Sequence, residues 1–182
     1  MTNGFEILIF ILPIAFAIHN LEEIFGMEKW TNSIPAYIHA PVTTRQFAIA
    51  VALFSVVGFV IIFTKNHFPS EEFYMKIISG FAGMLFSNVF FPHIIATIFL
   101  KKYAPGVISG ILINLPLSSI ILYSIFYHNL LTSKQILISV FIGGLSGIIL
   151  AFIFLKVGKY FDHILINFTA NNQNKRKCKY KN

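Results

Sequence analysis

The chain has 182 residues, 56% of them hydrophobic and only 12% charged, with a mean hydropathy of +0.74, which excludes a soluble globular domain and marks an integral membrane protein. Lys and Arg outnumber Asp and Glu by 14 to 7, a surplus that reads as membrane topology and argues against nucleic acid as a partner. The one cysteine, Cys178, precludes an internal disulfide or a cysteine-based metal site.

A helix that crosses a bilayer needs about 20 mostly apolar residues. The first such stretch runs from Phe5 to Phe25. Its start carries Glu6 and no Lys or Arg, so it reads as a retained helix despite the signal-peptide look of Ala15-Phe16-Ala17. The second runs from Gln46 to Thr64, and Thr43 with Gln46 forms a capping box at its head. The third runs from Ile77 to Leu100, with Ser70 ahead of Glu71 and Glu72 as a start signal. The fourth runs from Pro105, a first-turn proline, to Tyr127, and the fifth from Gln135 to Val157.

The expected fold is therefore all-α, a polytopic membrane bundle of about five transmembrane helices over residues 1–169. Residues 170–182, rich in Asn and Lys, are expected to form a basic disordered tail drawn to anionic lipid. With the N-terminus outside and the C-terminus cytoplasmic, only Lys65, Lys76 and Lys134 of the 14 basic residues fall on the outer side. The expected location is the cell membrane.

Small residues recur every four positions in two stripes, Gly106, Gly110, Asn114 and Ser118 on the fourth helix and Ser139, Gly143, Gly147 and Ala151 on the fifth. Close packing within the bundle is the expected use of both. A homo-oligomer through the Ser139 to Ala151 face is the alternative. No repeated half suggests a transporter built from inverted repeats.

The informative stretch is HNLEE in the first helix. Residues three and four apart share a helical face, so His19, Glu22 and Glu23 point one way, with Glu22 angled to the side. A charged group at membrane depth costs at least about 2.5–3.5 kcal/mol, which directs all three toward the bundle interior. His93 lies as far before the inner end of the third helix as His19 does in the first, roughly 9 Å at the helical rise, so the two histidines can share a level. Pro92 frees the carbonyl of Asn88 and is expected to kink or bulge the helix, and a one-residue bulge would bring Asn88 and His93 onto one face.

His19, Glu23 and His93 offer two imidazoles and a carboxylate, a set suited to a divalent metal with a position open to water, zinc above iron or manganese. Glu22 is the candidate general base, and Asn88, Asn114 and Arg45 are candidates to orient substrate or stabilise an oxyanion. The competing structural explanation is a buried hydrogen-bonded cluster that fixes helix packing. His39, His67, His128 and His163 read as loop or boundary residues.

The HNLEE segment resembles the HXXEE family of integral membrane proteins, with His19, Glu22 and Glu23 matching the defining motif. A later helix with Asn88 and His93, followed by Tyr103, Pro105 and Gly106 in KKYAPG, looks like that family's second polar region. The resemblance implies a family suspected of metal-dependent membrane hydrolysis. Two membrane proteases fit less well: the CAAX-protease-like pattern needs an Arg where this chain has Met27, and no rhomboid-type GxSx motif is convincing. The leading expectation is thus a membrane-embedded metal-dependent hydrolase acting on a lipid or other hydrophobic substrate from the cytoplasmic side. The alternatives are a small proton-coupled carrier using Glu22 and Glu23, or a non-catalytic accessory subunit with a structural polar cluster.

Overall fold

The apolar stripe of the first helix explains the architecture. Phe5, Ile9, Leu12 and Phe16 recur at three- and four-residue spacing and are buried, and His19, Glu23 and Met27 continue the same stripe. The face that holds the apolar core therefore also carries the polar groups inward. The structure, a computed structural model, describes residues 3–179, with side chains from Gly4 to Thr169. The 170–182 segment expected as a basic disordered tail, with Cys178, lies outside the side chains so described.

All regular structure among the described residues is helical: α1 (Asn3–Thr31), α2 (Thr44–Phe63), α3 (Glu71–Asn88), α4 (Ile95–Leu100), α5 (Val107–Ser109), α6 (Leu115–Tyr127) and α7 (Ser133–Lys179). A kinked segment, Val89–Ile94, broken at Phe91, joins α3 to α4, and a π-helical turn, Gly110–Asn114, joins α5 to α6. Five stretches are long and apolar enough to cross a membrane: α1, α2, α3 through α4, α5 through α6, and α7 as far as Thr169.

These agree in number and order with the sequence-based spans, and the boundaries differ for physical reasons. The α1 helix continues from Phe25 to Thr31 because backbone hydrogen bonding does not stop where charged residues begin. The α3 helix starts at Glu71, where the Ser70 hydroxyl accepts the Phe73 N–H at 3.1 Å. The fourth span begins at Val107 and not Pro105, because Gly106 takes the N-cap position with φ of 92°.

Half of the expected capping box of α2 is present: Thr43 Oγ1 accepts the Gln46 N–H at 3.1 Å and donates to Asp162 Oδ2 at 2.9 Å, while the Gln46 side chain donates to the Leu155 carbonyl at 3.4 Å instead of reaching back to Thr43. Glu28 Oε2 also accepts from the Thr44 N–H at 2.7 Å, tying α1 to the start of α2. Replacing Thr43 with alanine is expected to cost about 1–2 kcal/mol, read as a lowered unfolding midpoint in detergent.

The helices form a ring in which α1 packs on α2, α2 on α7, α7 on α3, α3 on α6, and α6 on α1. The small-residue stripe of α7 is used inside this ring. A Cβ on Gly143 would lie 2.1 Å from the Gly80 carbonyl oxygen, and one on Gly147 would lie 2.5 Å from Met84 Sδ, so α3 and α7 approach to backbone contact there. The main core joins Phe5, Ile9, Leu12 and Phe16 of α1 to Ile78, Phe81 and Leu85 of α3 and to Ile121 and Ile125 of α6. The polar cluster lies farther along α1 from this core, beside the connection between α4 and α5.

Candidate metal centre

Helical periodicity delivers two groups to the interior and a helix irregularity delivers the third. His19 is fully buried and Glu23 is 8% exposed, one turn apart on the inward face of α1. His93, also buried, comes from the kink between α3 and α4. There Phe91 is extended (φ −128°, ψ 116°), the conformation favoured before proline, and the Phe91–Pro92 peptide is cis. In a regular helix Asn88 and His93 would point well apart, but the break at Phe91 brings them together, so of the kink or bulge expected at Pro92 it is a kink that forms and not a one-residue bulge.

The side chains of these three residues converge. His93 Nε2 lies 3.1 Å and His19 Nε2 3.5 Å from Glu23 Oε1. The ligand-capable atoms of His19, Glu23 and His93 all fall within 4.8 Å of one another, and the two rings meet edge to face. Asn88 reaches the same point, its amide nitrogen 3.1 Å from Nε2 of each histidine. On its other side, His19 Nδ1 stands 3.1 Å from Ser109 Oγ, and that hydroxyl donates to the Gly106 carbonyl at 3.4 Å. Ser109 thus engages the His19 ring at Nδ1 and leaves Nε2 facing Glu23 and His93.

Gly106 forms the wall of the cluster. A Cβ at this position would lie 2.7 Å from His93 Cε1, 2.8 Å from His19 Cε1 and 3.0 Å from Glu23 Cγ. Its backbone therefore touches all three residues, and Gly110, one turn on, faces His19 and Val89.

Glu22 takes a different position from the one its sequence neighbourhood suggests for a base. Its Oε1 accepts from the Tyr103 hydroxyl and from the N–H groups of Gly106 at 3.1 Å and Ile108 at 3.3 Å, and Oε2 accepts from the Ser109 N–H at 2.7 Å. A carboxylate from α1 thus caps the start of the fourth span, where backbone N–H groups lack helical partners. Partial burial and the adjacent Glu22 carboxylate raise the Tyr103 phenol to about 12, so it remains a donor throughout the neutral range.

Asn114 is fully buried at the end of the π turn Gly110–Asn114, and neither of its amide atoms has a hydrogen-bond partner among the described residues. Ser118, one turn further and also buried, has an unpartnered hydroxyl too. Arg45 is not brought to the cluster. It is exposed, and its Nε pairs with Asp162 of α7 instead. His67, His128 and His163 are exposed, and His39 makes a local contact with the Ala40 carbonyl at 2.7 Å.

Sequence reasoning missed Ser109, Asp162 and the capping role of Glu22. The signal for Ser109 is its place in the first turn after the KKYAPG loop, which lies against the inward face of α1.

Comparison with known proteins follows the same residues. Residues 10–121 match a family described as "Protein of unknown function with HXXEE motif". The uncharacterized protein YrkK of Bacillus subtilis (strain 168) is 33% identical over 144 residues, which cover 79% of this chain and 90% of that protein. No solved structure matches the chain.

Proposed function

Since the chain belongs to the HXXEE-motif family, in which the motif and not a known reaction is the shared feature, we propose from the site itself that it is a membrane-embedded, metal-dependent hydrolase. Its substrate in this reading is a lipid or another hydrophobic molecule, reached from the cytoplasmic side of the cell membrane. The observation that carries the proposal is the convergence of His19, Glu23 and His93 within 4.8 Å at a buried point among apolar helices. Two imidazoles and one carboxylate suit zinc and also iron or manganese. A divalent cation held there would activate water and polarise a carbonyl or phosphoryl oxygen.

The remaining residues have distinct parts. Ser109 fixes the ring orientation of His19, and Glu22 holds the loop that carries Gly106 and Ser109 against the cluster. That positioning role replaces the general-base role suggested by adjacency, because the oxygens of Glu22 are already engaged by four donors. Asn114 offers an unengaged donor and acceptor for a polar group of the substrate. Arg45, paired with Asp162, has no part in this mechanism. A substrate entering from the bilayer is consistent with the exposed apolar residues of α1 and α4, among them Phe25 and Phe99. The cytoplasmic placement follows from the lysine bias.

The test is elemental analysis of the protein purified in mild detergent, beside His19→Ala, Glu23→Ala and His93→Ala. Near-stoichiometric zinc, iron or manganese in the wild type, lost in every variant that stays folded, is the expected result, and a screen for lipid hydrolysis follows from it. A folded wild type that takes up no metal even after supplementation would overturn the proposal in favour of proton-coupled transport or a structural cluster.

A further inference from the structure

The position of Asn88 raises a problem of hydrogen-bond sense. With its amide nitrogen inward, Asn88 donates to Nε2 of both histidines, at 3.1 Å each. His93 Nε2 is then an acceptor without a proton, yet it stands 3.1 Å from the carboxylate oxygen of Glu23, also an acceptor. Placing a proton on His93 Nε2 for Glu23 instead makes that N–H face the N–H of Asn88. One neutral imidazole nitrogen cannot serve both neighbours.

A half-turn of the amide about its Cβ–Cγ bond exchanges Nδ2 for Oδ1 in the same space. The carbonyl oxygen then stands beside Nε2 of both histidines. With Ser109 engaging His19 at Nδ1, Oδ1, His19 Nε2, His93 Nε2 and Glu23 Oε1 can each offer a lone pair to one cation. With the amide nitrogen inward Asn88 has no lone pair to offer, and with no cation the same oxygen would accept an imidazole N–H, an alternative that cobalt titration separates.

We infer that Asn88 is a fourth metal ligand, through its side-chain carbonyl oxygen, and not a substrate-orienting group. This rests on the metal-centre reading above and completes it as a site of two nitrogen and two oxygen ligands. The kink acquires a reason at the same time, since one irregularity supplies two ligands, Asn88 just before it and His93 near its end. An amide carbonyl is uncharged and binds more weakly than a carboxylate, so the site keeps the single negative charge of Glu23.

The experiment is titration of the full chain in detergent with Co²⁺, followed by its visible absorption, for wild type, Asn88→Ala and Asn88→Asp, with circular dichroism confirming the fold. In Asn88→Ala the affinity is expected to fall about tenfold or more and the bands to change in position and intensity. Asn88→Asp keeps an oxygen at the site and adds charge, so cobalt should bind at least as tightly as in wild type, with shifted bands. Wild-type affinity and an unchanged spectrum in Asn88→Ala would overturn the inference while leaving the three-residue site intact. If Asn88→Ala does not fold, an unchanged spectrum in Asn88→Asp overturns it equally. A wild type that binds no cobalt removes the metal-centre reading itself, and this inference with it.

Discussion

Replacing Gly106 with alanine is expected to abolish cation binding and to destabilise the protein by about 2–5 kcal/mol. Two costs add. The backbone at Gly106 has φ of 92°, where a side chain meets its own backbone, at about 1–2 kcal/mol. The new methyl group would also lie within 3.0 Å of His93, His19 and Glu23, and these are side chains fixed by buried contacts with little room to retreat. Overfilling a packed interior typically costs about 1–3 kcal/mol. The strain falls on the His19–Glu23–His93 cluster itself, so the imidazoles must separate to admit the methyl group. Chemical unfolding in detergent and a cobalt titration read the two effects independently. A Gly106→Ala protein with wild-type stability and cobalt affinity would show that this loop does not pack against the cluster as described.

Glu22→Ala is expected to be nearly as damaging, for a reason unrelated to proton transfer. It leaves the N–H groups of Gly106, Ile108 and Ser109 and the hydroxyl of Tyr103 without their acceptor. Charge-assisted hydrogen bonds and orphaned donors of this kind correspond to about 2–4 kcal/mol in total once water reaches part of the site. Glu22→Gln should be milder, since one amide oxygen still accepts while its NH₂ group faces N–H donors. Hydrogen exchange at residues 106–109 is the discriminating measurement: it should accelerate strongly in Glu22→Ala and moderately in Glu22→Gln. A pure general base would behave differently, and unchanged exchange in both variants would return Glu22 to that role.

The fold was largely legible because hydropathy and capping chemistry act locally. Five apolar stretches, the Thr43 cap and the Ser70 cap need only near neighbours in sequence, and each is where the pattern places it. The meeting of His19, Glu23 and His93 was legible for a subtler reason. Proline consequences are also local, so an irregularity at Pro92 that brings His93 toward Asn88 follows from the sequence, and the depth match follows from helical rise; that it is a kink at Phe91 and not a one-residue bulge does not. Hydropathy did not show which groups would occupy the oxygens of Glu22, because those donors lie more than eighty residues away in sequence. Arg45 failed as a site residue for the same reason: its partner Asp162 is more than a hundred residues distant, on a helix whose place in the ring no local pattern fixes. Adjacency in HNLEE suggests one shared task for both glutamates, whereas the hundred-degree step between neighbours on a helix sends Glu23 to the two histidines and Glu22 to the loop.

The kink at Val89–Ile94 also acts as a phase shifter. Because the helix is interrupted at Phe91, the angular setting of α4 is decoupled from that of α3. The α3 segment can keep Gly80 and Gly83 turned toward α7, while α4 presents Ile98 and Phe99 outward. A single crossing of the membrane thereby serves two unrelated rotational demands, tight backbone packing in one half and placement of His93 beside His19 and Glu23 in the other.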